Sequence, residues 1–242
     1  TVGGDVEGGG WLVGGWVGYD DDKSGADSVI KDVSATGDVV GSGRYVGWLI
    51  GQSQTTNNDE ITITDAHAEG DVTEASTQSK NEVGGLIGEI TSAGDITDVS
   101  ATGAVRASGS EVGGLVGRLN HERNGYRNRN HPYSLKNASA TGTVTTDGKY
   151  VGGLVGRHRY AKAVTNASAD GDVSAGGSHV GGLFGYSDSE EMNSTSATGA
   201  VTADGNQAGG LIGNFEGGTI ANSTARGDVE SSSGGYVGGL VG

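Results

Sequence analysis

The chain repeats itself, and that repetition limits what it can fold into more than any other feature. Val83-Gly84-Gly85-Leu86-Ile87-Gly88 returns from Val112, Val151, Val180 and Val237, with drifted copies from Val13, Val46 and Ala208. A second phrase, Ala35-Thr36-Gly37-Asp38-Val39, returns from Ala68, Ala101, Ala140, Ala169, Ala197 and Ala225, and Gly4-Asp5-Val6 matches its tail. A repeat this short cannot bury its own apolar face and must stack on its neighbours, as in a solenoid or a propeller.

The glycines of the second phrase fall at 4, 37, 70, 103, 142, 171, 199 and 227, which gives intervals of 33, 33, 33, 39, 29, 28 and 28. The basic unit is therefore 28 to 29 residues, with insertions in the early intervals. From phrase glycine to VGG valine the spacing is nine in six of eight units (37 to 46, 103 to 112), so that half is rigid and the other half tolerates loops.

Five residues before each phrase alanine stands an apolar side chain: Ile30, Ile63, Ile96, Leu135, Val164, Met192 and Ile220. From there small or apolar residues alternate with polar ones, the period of a half-buried strand. Three residues before the alanine come Asp32, Asp65, Asp98, Asn137, Asn166, Ser194 and Asn222. These short polar side chains tolerate left-handed backbone, so the column reads as a corner. VGGLVG supplies a further strand, which makes three short strands per unit.

A propeller blade wants four strands and about 40 residues or more. The expected fold is therefore all-β: a single-domain parallel β-solenoid over residues 1–242 with seven to eight coils. They are anchored at Gly4, Gly37, Gly70, Gly103, Gly142, Gly171, Gly199 and Gly227 and wound right-handed by the usual crossover preference. A loop of residues 118–136 is inserted in the middle. With 49 Gly and 1 Pro the composition excludes collagen, and the regular apolar columns argue against a disordered Gly-rich tract.

The two phrases, with an Asn-x-Ser/Thr lead-in such as Asn166-Ala167-Ser168, resemble the GLUG-motif repeats. Departures are Gly47-Trp48 in place of Gly-Gly and Ala208 in place of Val. The resemblance implies stalk or adhesin material of large secreted and surface-anchored bacterial and archaeal proteins, on the outside of the cell, without a catalytic centre.

Charge is uneven. Residues 1–117 hold 19 acidic and 5 basic side chains, residues 118–162 hold 2 and 9, and residues 163–242 hold 9 and 1, within a net charge of -15. The acidic surface disfavours nucleic acid and anionic membranes as partners and suits a high-salt habitat. Zero cysteines leave the redox compartment unread, and the absence of 18 consecutive apolar residues or of a leader predicts neither a membrane span nor a signal peptide. The chain opens in mid-unit and ends on a repeat phrase, as expected of a piece of a longer protein or of a subunit that associates end to end.

Against the acidic background Arg118, His121, Arg123, Tyr126, Arg127, Arg129, His131, Tyr133 and Lys136 crowd together. Because Gly117 and Gly156 are equivalent, Arg118 should lie beside Arg157, with His158, Arg159 and Tyr160 joining the patch. Guanidinium forks and tyrosine faces suit acidic glycans or an acidic protein surface. The alternative is that these cations neutralise carboxylates on flanking coils.

No cofactor is required by any motif. Asp20, Asp22 and Ser24 match the first half of a calcium loop, but Lys31 stands where a bidentate Glu is needed. The stacked columns Asp32, Asp65, Asp98 and Asp5, Asp38, Asp71 could bridge cations or point to solvent, and His121, His131 and His158 would suit zinc only by converging. Asn137, Asn166, Asn193 and Asn222 open glycosylation sequons that equally serve turn geometry. No hydrolase elbow, zincin motif or P-loop occurs, so the expectation is no enzyme; a polysaccharide lyase or hydrolase on a β-helix is the alternative.

Overall fold

The computed structural model describes residues 2–21, 27–54, 60–76, 80–123, 126–127 and 133–242, with the side chains of 122–127 outside that description. It is a parallel β-solenoid. Four sheets of 10, 8, 8 and 7 strands run the length of the stack, and a separate two-stranded ribbon stands beside them. Each coil contributes in turn a long strand (Ala93–Ala101), a short one (Val105–Ala107), another (Val112–Gly113) and a fourth (Val116–Leu119). In the second sheet equivalent residues pair without slip, Val39 with Val72, Val72 with Val105, Val105 with Val144 and Val144 with Val173, whereas the long strands of the first sheet shift register between Ala93 and Ile96 and between Tyr133 and Ser134.

The coil has four strands where the sequence suggests three, because VGGLVG makes two. The glycines at its second and sixth positions bring two backbones together where no Cβ fits. A Cβ on Gly113 would stand 2.1 Å from the Val116 carbonyl oxygen, and one on Gly117 would stand 2.5 Å from Val83 N and 2.7 Å from the Glu111 carbonyl oxygen. The glycine at the third position locks the two phrases to each other. A Cβ on Gly114 would sit 2.1 Å from the Gly153 carbonyl oxygen and 3.0 Å from Ala140 Cβ, the phrase alanine one coil on.

The expected corner column is observed. Asp32, Asp65, Asp98, Asn137, Asn166, Ser194 and Asn222 all adopt φ between 49° and 57°, a left-handed kink within the first sheet. Side chains tie it from coil to coil, Asn137 Nδ2 donating to Asp98 Oδ1 (2.8 Å) and Asn166 Nδ2 to Asn137 Oδ1 (3.2 Å). The four sheets enclose one apolar column. Ile63, Ile96, Leu135, Val164 and Met192 are fully buried, as are Leu115, Leu154 and Leu183, while Ile30 and Ile220 pack against the core only partly buried. Burying each such side chain contributes about 1.5–3 kcal/mol, which is what holds a coil that makes few contacts within itself.

Trp48 fits at a glycine position because its ring lies inside the stack, with the indole N–H donating to the Gly37 carbonyl. In the middle of the chain the coil strands Val116–Leu119 and Tyr133–Ala140 bracket the antiparallel ribbon, Glu122–Arg123 with Tyr126–Arg127.

Candidate binding cleft

At the mouth of the VGGLVG fold two side-chain columns face each other. One follows the fourth sheet through the paired residues Gln52, Glu89, Arg118, Arg157 and Tyr186. The other is the residue just ahead of each VGG valine: Tyr45, Glu82, Glu111, Tyr150 and His179. The last three of these are left-handed without being glycine, with φ of 61°, 59° and 63°. Such backbone is costly for bulky side chains and collects at functional positions.

Ion pairs cross between coils. Arg44 Nε and Nη2 donate to Glu82 Oε2 and Oε1 at 3.1 and 3.2 Å, a fork on a fork. Arg157 Nη1 donates to Glu111 Oε1 at 2.9 Å, and Arg118 Nε stands 3.4 Å from Glu111 Oε2, so one carboxylate bridges two guanidinium groups. Arg118 also pairs with Glu89 (3.2 Å), whose other oxygen accepts from Gln52 Nε2 (2.7 Å). Arg157 lies over the rings of Tyr150 and Tyr186 at 5.0 and 5.6 Å, and Tyr150 stacks on His179 at 4.5 Å.

The result is a cleft of about 490 Å³ lined by Arg44, Lys80, Arg118, Lys149 and Arg157 with Glu82, Glu111, Ser110 and Tyr150. Burial shapes its electrostatics. Desolvation pushes the Glu82 carboxyl up to about 7; the Arg44 hydrogen bond pulls it down, and nearby Glu89 and Glu111 add to the rise. Desolvation also raises Glu89, with Arg118 opposing. Cations therefore outnumber ionised carboxylates in a molecule that is acidic elsewhere.

Of the residues singled out in the sequence, Arg118 and Arg157 do lie side by side, as equating Gly117 with Gly156 requires. Tyr133, His121 and His158 do not join them on the surface. They are 2%, 3% and 0% exposed, because side chains alternate along a strand: Arg157 points out, so His158 points in. Inside, the Tyr133 ring meets His158 edge-on at 5.6 Å, and its hydroxyl donates to the carbonyls of Leu119 (3.3 Å) and Arg159 (3.1 Å). His121 Nδ1 is 2.7 Å from the Ala93 carbonyl oxygen. Arg159 lies over the Tyr160 ring at 4.5 Å and 3.9 Å from Asp188, away from the cleft lining. Arg123, Tyr126 and Arg127 are placed by backbone alone, and Arg129 and His131 lie outside the described residues.

Arg44, Lys80, Glu82, Glu111, Lys149 and Tyr150 are cleft residues that the sequence reading missed. The signal that finds five of them, all but Lys80, is their position one or two residues ahead of a VGG-type valine, where the phrase itself stops and side chains vary from coil to coil.

Asp20 accepts from Ser53 Oγ at 3.0 Å, while Asp22 and Ser24 lie outside the described residues. Among the described residues no group of three His, Asp or Glu is arranged to hold a metal. The Asp5, Asp38 and Asp71 column has another use: each carboxylate accepts the backbone N–H of the next coil, at Asp38, Asp71 and Ala104, all at 2.9 Å. Of the sequon asparagines, Asn137, Asn166 and Asn222 occupy left-handed corners, and Asn222 Nδ2 donates to Asn193 Oδ1 at 3.0 Å. No helix of the described residues is long and apolar enough to cross a membrane.

Fold and register define a parallel β-solenoid built from one repeated coil. The family model of the GLUG motif matches residues 81–106, 147–174 and 204–230, each span running from ahead of a VGG-type phrase to past the following Ala-x-Gly phrase. The chain is a GLUG-repeat protein. No curated protein and no solved structure matches it.

Proposed function

We propose that this chain is a non-enzymatic adhesive spacer of the cell exterior, its coils giving reach and its cleft gripping an acidic glycan. The observation that carries the reading is the gathering of Arg44, Lys80, Arg118, Lys149 and Arg157 around one cleft in a chain of net charge -15. A repulsive background with an attractive site among the described residues selects for a ligand that presents its anionic groups at that point. Uronate carboxylates and sulfate esters match the guanidinium forks in geometry and charge. Rigidity follows from the register that the three long sheets other than the first keep from coil to coil, and the exterior location from the resemblance of GLUG repeats to those of secreted and surface-anchored proteins. The acidic remainder suits a salt-rich setting.

The test is an array of acidic and neutral glycans probed with the wild type and with Arg118 and Arg157 both replaced by Ser. Binding confined to acidic glycans and lost in the double variant supports the reading; equal binding by both proteins ends it. A polysaccharide hydrolase or lyase is the second reading, favoured by the buried Glu82, which stays partly protonated near neutral pH beside Glu111. New reducing ends or unsaturated uronates after incubation with an acidic polysaccharide would decide for it.

A further inference from the structure

Every guanidinium group in the cleft that a ligand would use already holds a carboxylate of the chain itself. Arg44 is forked on Glu82, Arg157 is held by Glu111, and Arg118 sits between Glu111 and Glu89. An incoming anion must displace one of them, and the displaced group must then go somewhere in a wall where water is scarce. Glu111 touches two arginines, so losing one leaves it paired. Glu89 keeps Gln52. Glu82 is different: it is 4% exposed, and the guanidinium that holds it is that of Arg44.

We infer that the cleft binds an anionic ligand and a proton together: the ligand's carboxylate or sulfate takes the Arg44 fork from Glu82, and Glu82 takes up a proton from solvent. This rests on the reading of the cleft as an anion site.

The surroundings of Glu82 favour that exchange from every side. From the preceding coil it faces Arg44 and Tyr45, from the fourth sheet Glu89, from the following coil Glu111, and Lys80 lies two residues before it. Two of those neighbours are carboxylates that already resist a charge on Glu82, and a bound anion would be another. Free Glu82 titrates near 7, so little energy is needed to neutralise it in the bound state. Below that pH it is already protonated and binding is indifferent to pH. Above it, affinity falls by at most about tenfold per pH unit.

The probes are trigalacturonate and a sulfated disaccharide, both of which stay ionised above pH 5, studied by calorimetry from pH 5.5 to 8.5 in buffers of different ionisation enthalpy. The expected result for the wild type is net proton uptake on binding at pH 7.5 and affinity falling severalfold from pH 7 to 8.5. Glu82→Gln should bind without proton uptake, with an affinity at pH 8.5 close to that of the wild type at pH 6. Zero uptake by the wild type overturns the inference while leaving an anion site in place. Uptake that persists unchanged in Glu82→Gln overturns it too, since the proton would then belong to another group such as His179 beside Tyr150. Unchanged affinity after Arg118→Ser with Arg157→Ser removes the cleft as the site, a failure of the underlying reading that shows whatever the proton count.

Discussion

The glycine seam and the charged columns at its mouth lie within a few residues of each other, yet the stack treats them in opposite ways. In the seam, Gly84, Gly113, Gly152 and Gly181 meet the same backbone atoms in coil after coil, because two main chains touch and nothing larger than hydrogen fits. Two residues earlier the column reads Glu82, Glu111, Tyr150 and His179, since those side chains project past the seam and meet other side chains, Arg44, Arg118 and Arg157 among them. A solenoid thus fixes sequence where backbones meet and releases it where side chains stand clear. Recognition can evolve on such a fold only in the released columns.

The largest effects should come from breaking the seam. Gly113→Val places side-chain atoms where the Val116 carbonyl oxygen lies 2.1 Å and the Leu154 carbonyl oxygen 2.7 Å from the new Cβ, so two coils must part. The expected outcome is a loss of at least about 3–5 kcal/mol, seen as the collapse of the cooperative thermal transition by circular dichroism. By contrast Arg118→Ser, in the released column, should shift the midpoint by only a few degrees. Similar losses from the two substitutions would break the distinction between seam and column.

Next come two buried ionisable groups, His158 inside the stack and Glu82 in the charged columns. Burial holds His158 down at about 3, flanked by Tyr133 and Phe184, whereas burial pushes Glu82 up to about 7. His158 stays neutral in the folded chain while an unfolded histidine protonates near 6.5, so stability falls as pH drops from about 6.5 towards 3, at about 1.4 kcal/mol per unit. Glu82 runs the other way. Its raised value stabilises the folded chain below the unfolded carboxyl range, and that contribution is lost as pH rises from about 4.5 to 7. Denaturant melts at pH 7 and 5 should show His158→Leu narrowing the acid-side loss and Glu82→Gln widening it. Shifts of the same sign in both variants would mean that one of these environments is misassigned.

The seam was legible before any coordinates and the cleft was not, for one physical reason. Gly117 and Gly156 can be equated by counting, because backbone contact forces the same residue at each turn. The left-handed corner from Asp32 to Asn222 could likewise be read as Asp, Asn or Ser, since few other side chains tolerate that backbone. Arg157, however, finds its carboxylate 46 residues earlier at Glu111, and no repeat requires Glu there. Reading Arg157, His158 and Arg159 as one patch also overlooked strand parity, which sends His158 inward. The fourth strand per coil was hidden because VGGLVG looks continuous until the glycines at its second and sixth positions are seen to face across a fold.

The smallest expected effect tests the same contrast in the exposed Asp ladder, where a side chain caps a backbone group and so belongs partly to each class. Asp71 Oδ1 accepts the Ala104 N–H, and its other oxygen pairs with Arg106 at 3.0 Å. The Ala104 N–H above all, helped by Arg106, holds this carboxyl below the usual carboxylate range against the opposing effect of desolvation. Its contribution is therefore present above the unfolded carboxyl value and lost as pH falls through the folded one. Because the pair is about half exposed, with side chains 56% and 46% accessible, Asp71→Ala should cost no more than about 1 kcal/mol at pH 7 and less as the pH falls through the acid range. The ladder breaks naturally at Ala104, which offers no carboxylate to Thr143, and resumes where Asp172 accepts from Ala200 N at 2.8 Å. Ala104→Asp should restore the missing rung and raise stability by a few tenths of a kcal/mol. If Ala104→Asp destabilises the chain instead, repulsion from Asp71 one coil away outweighs the new hydrogen bond, and the column is limited by charge rather than by geometry.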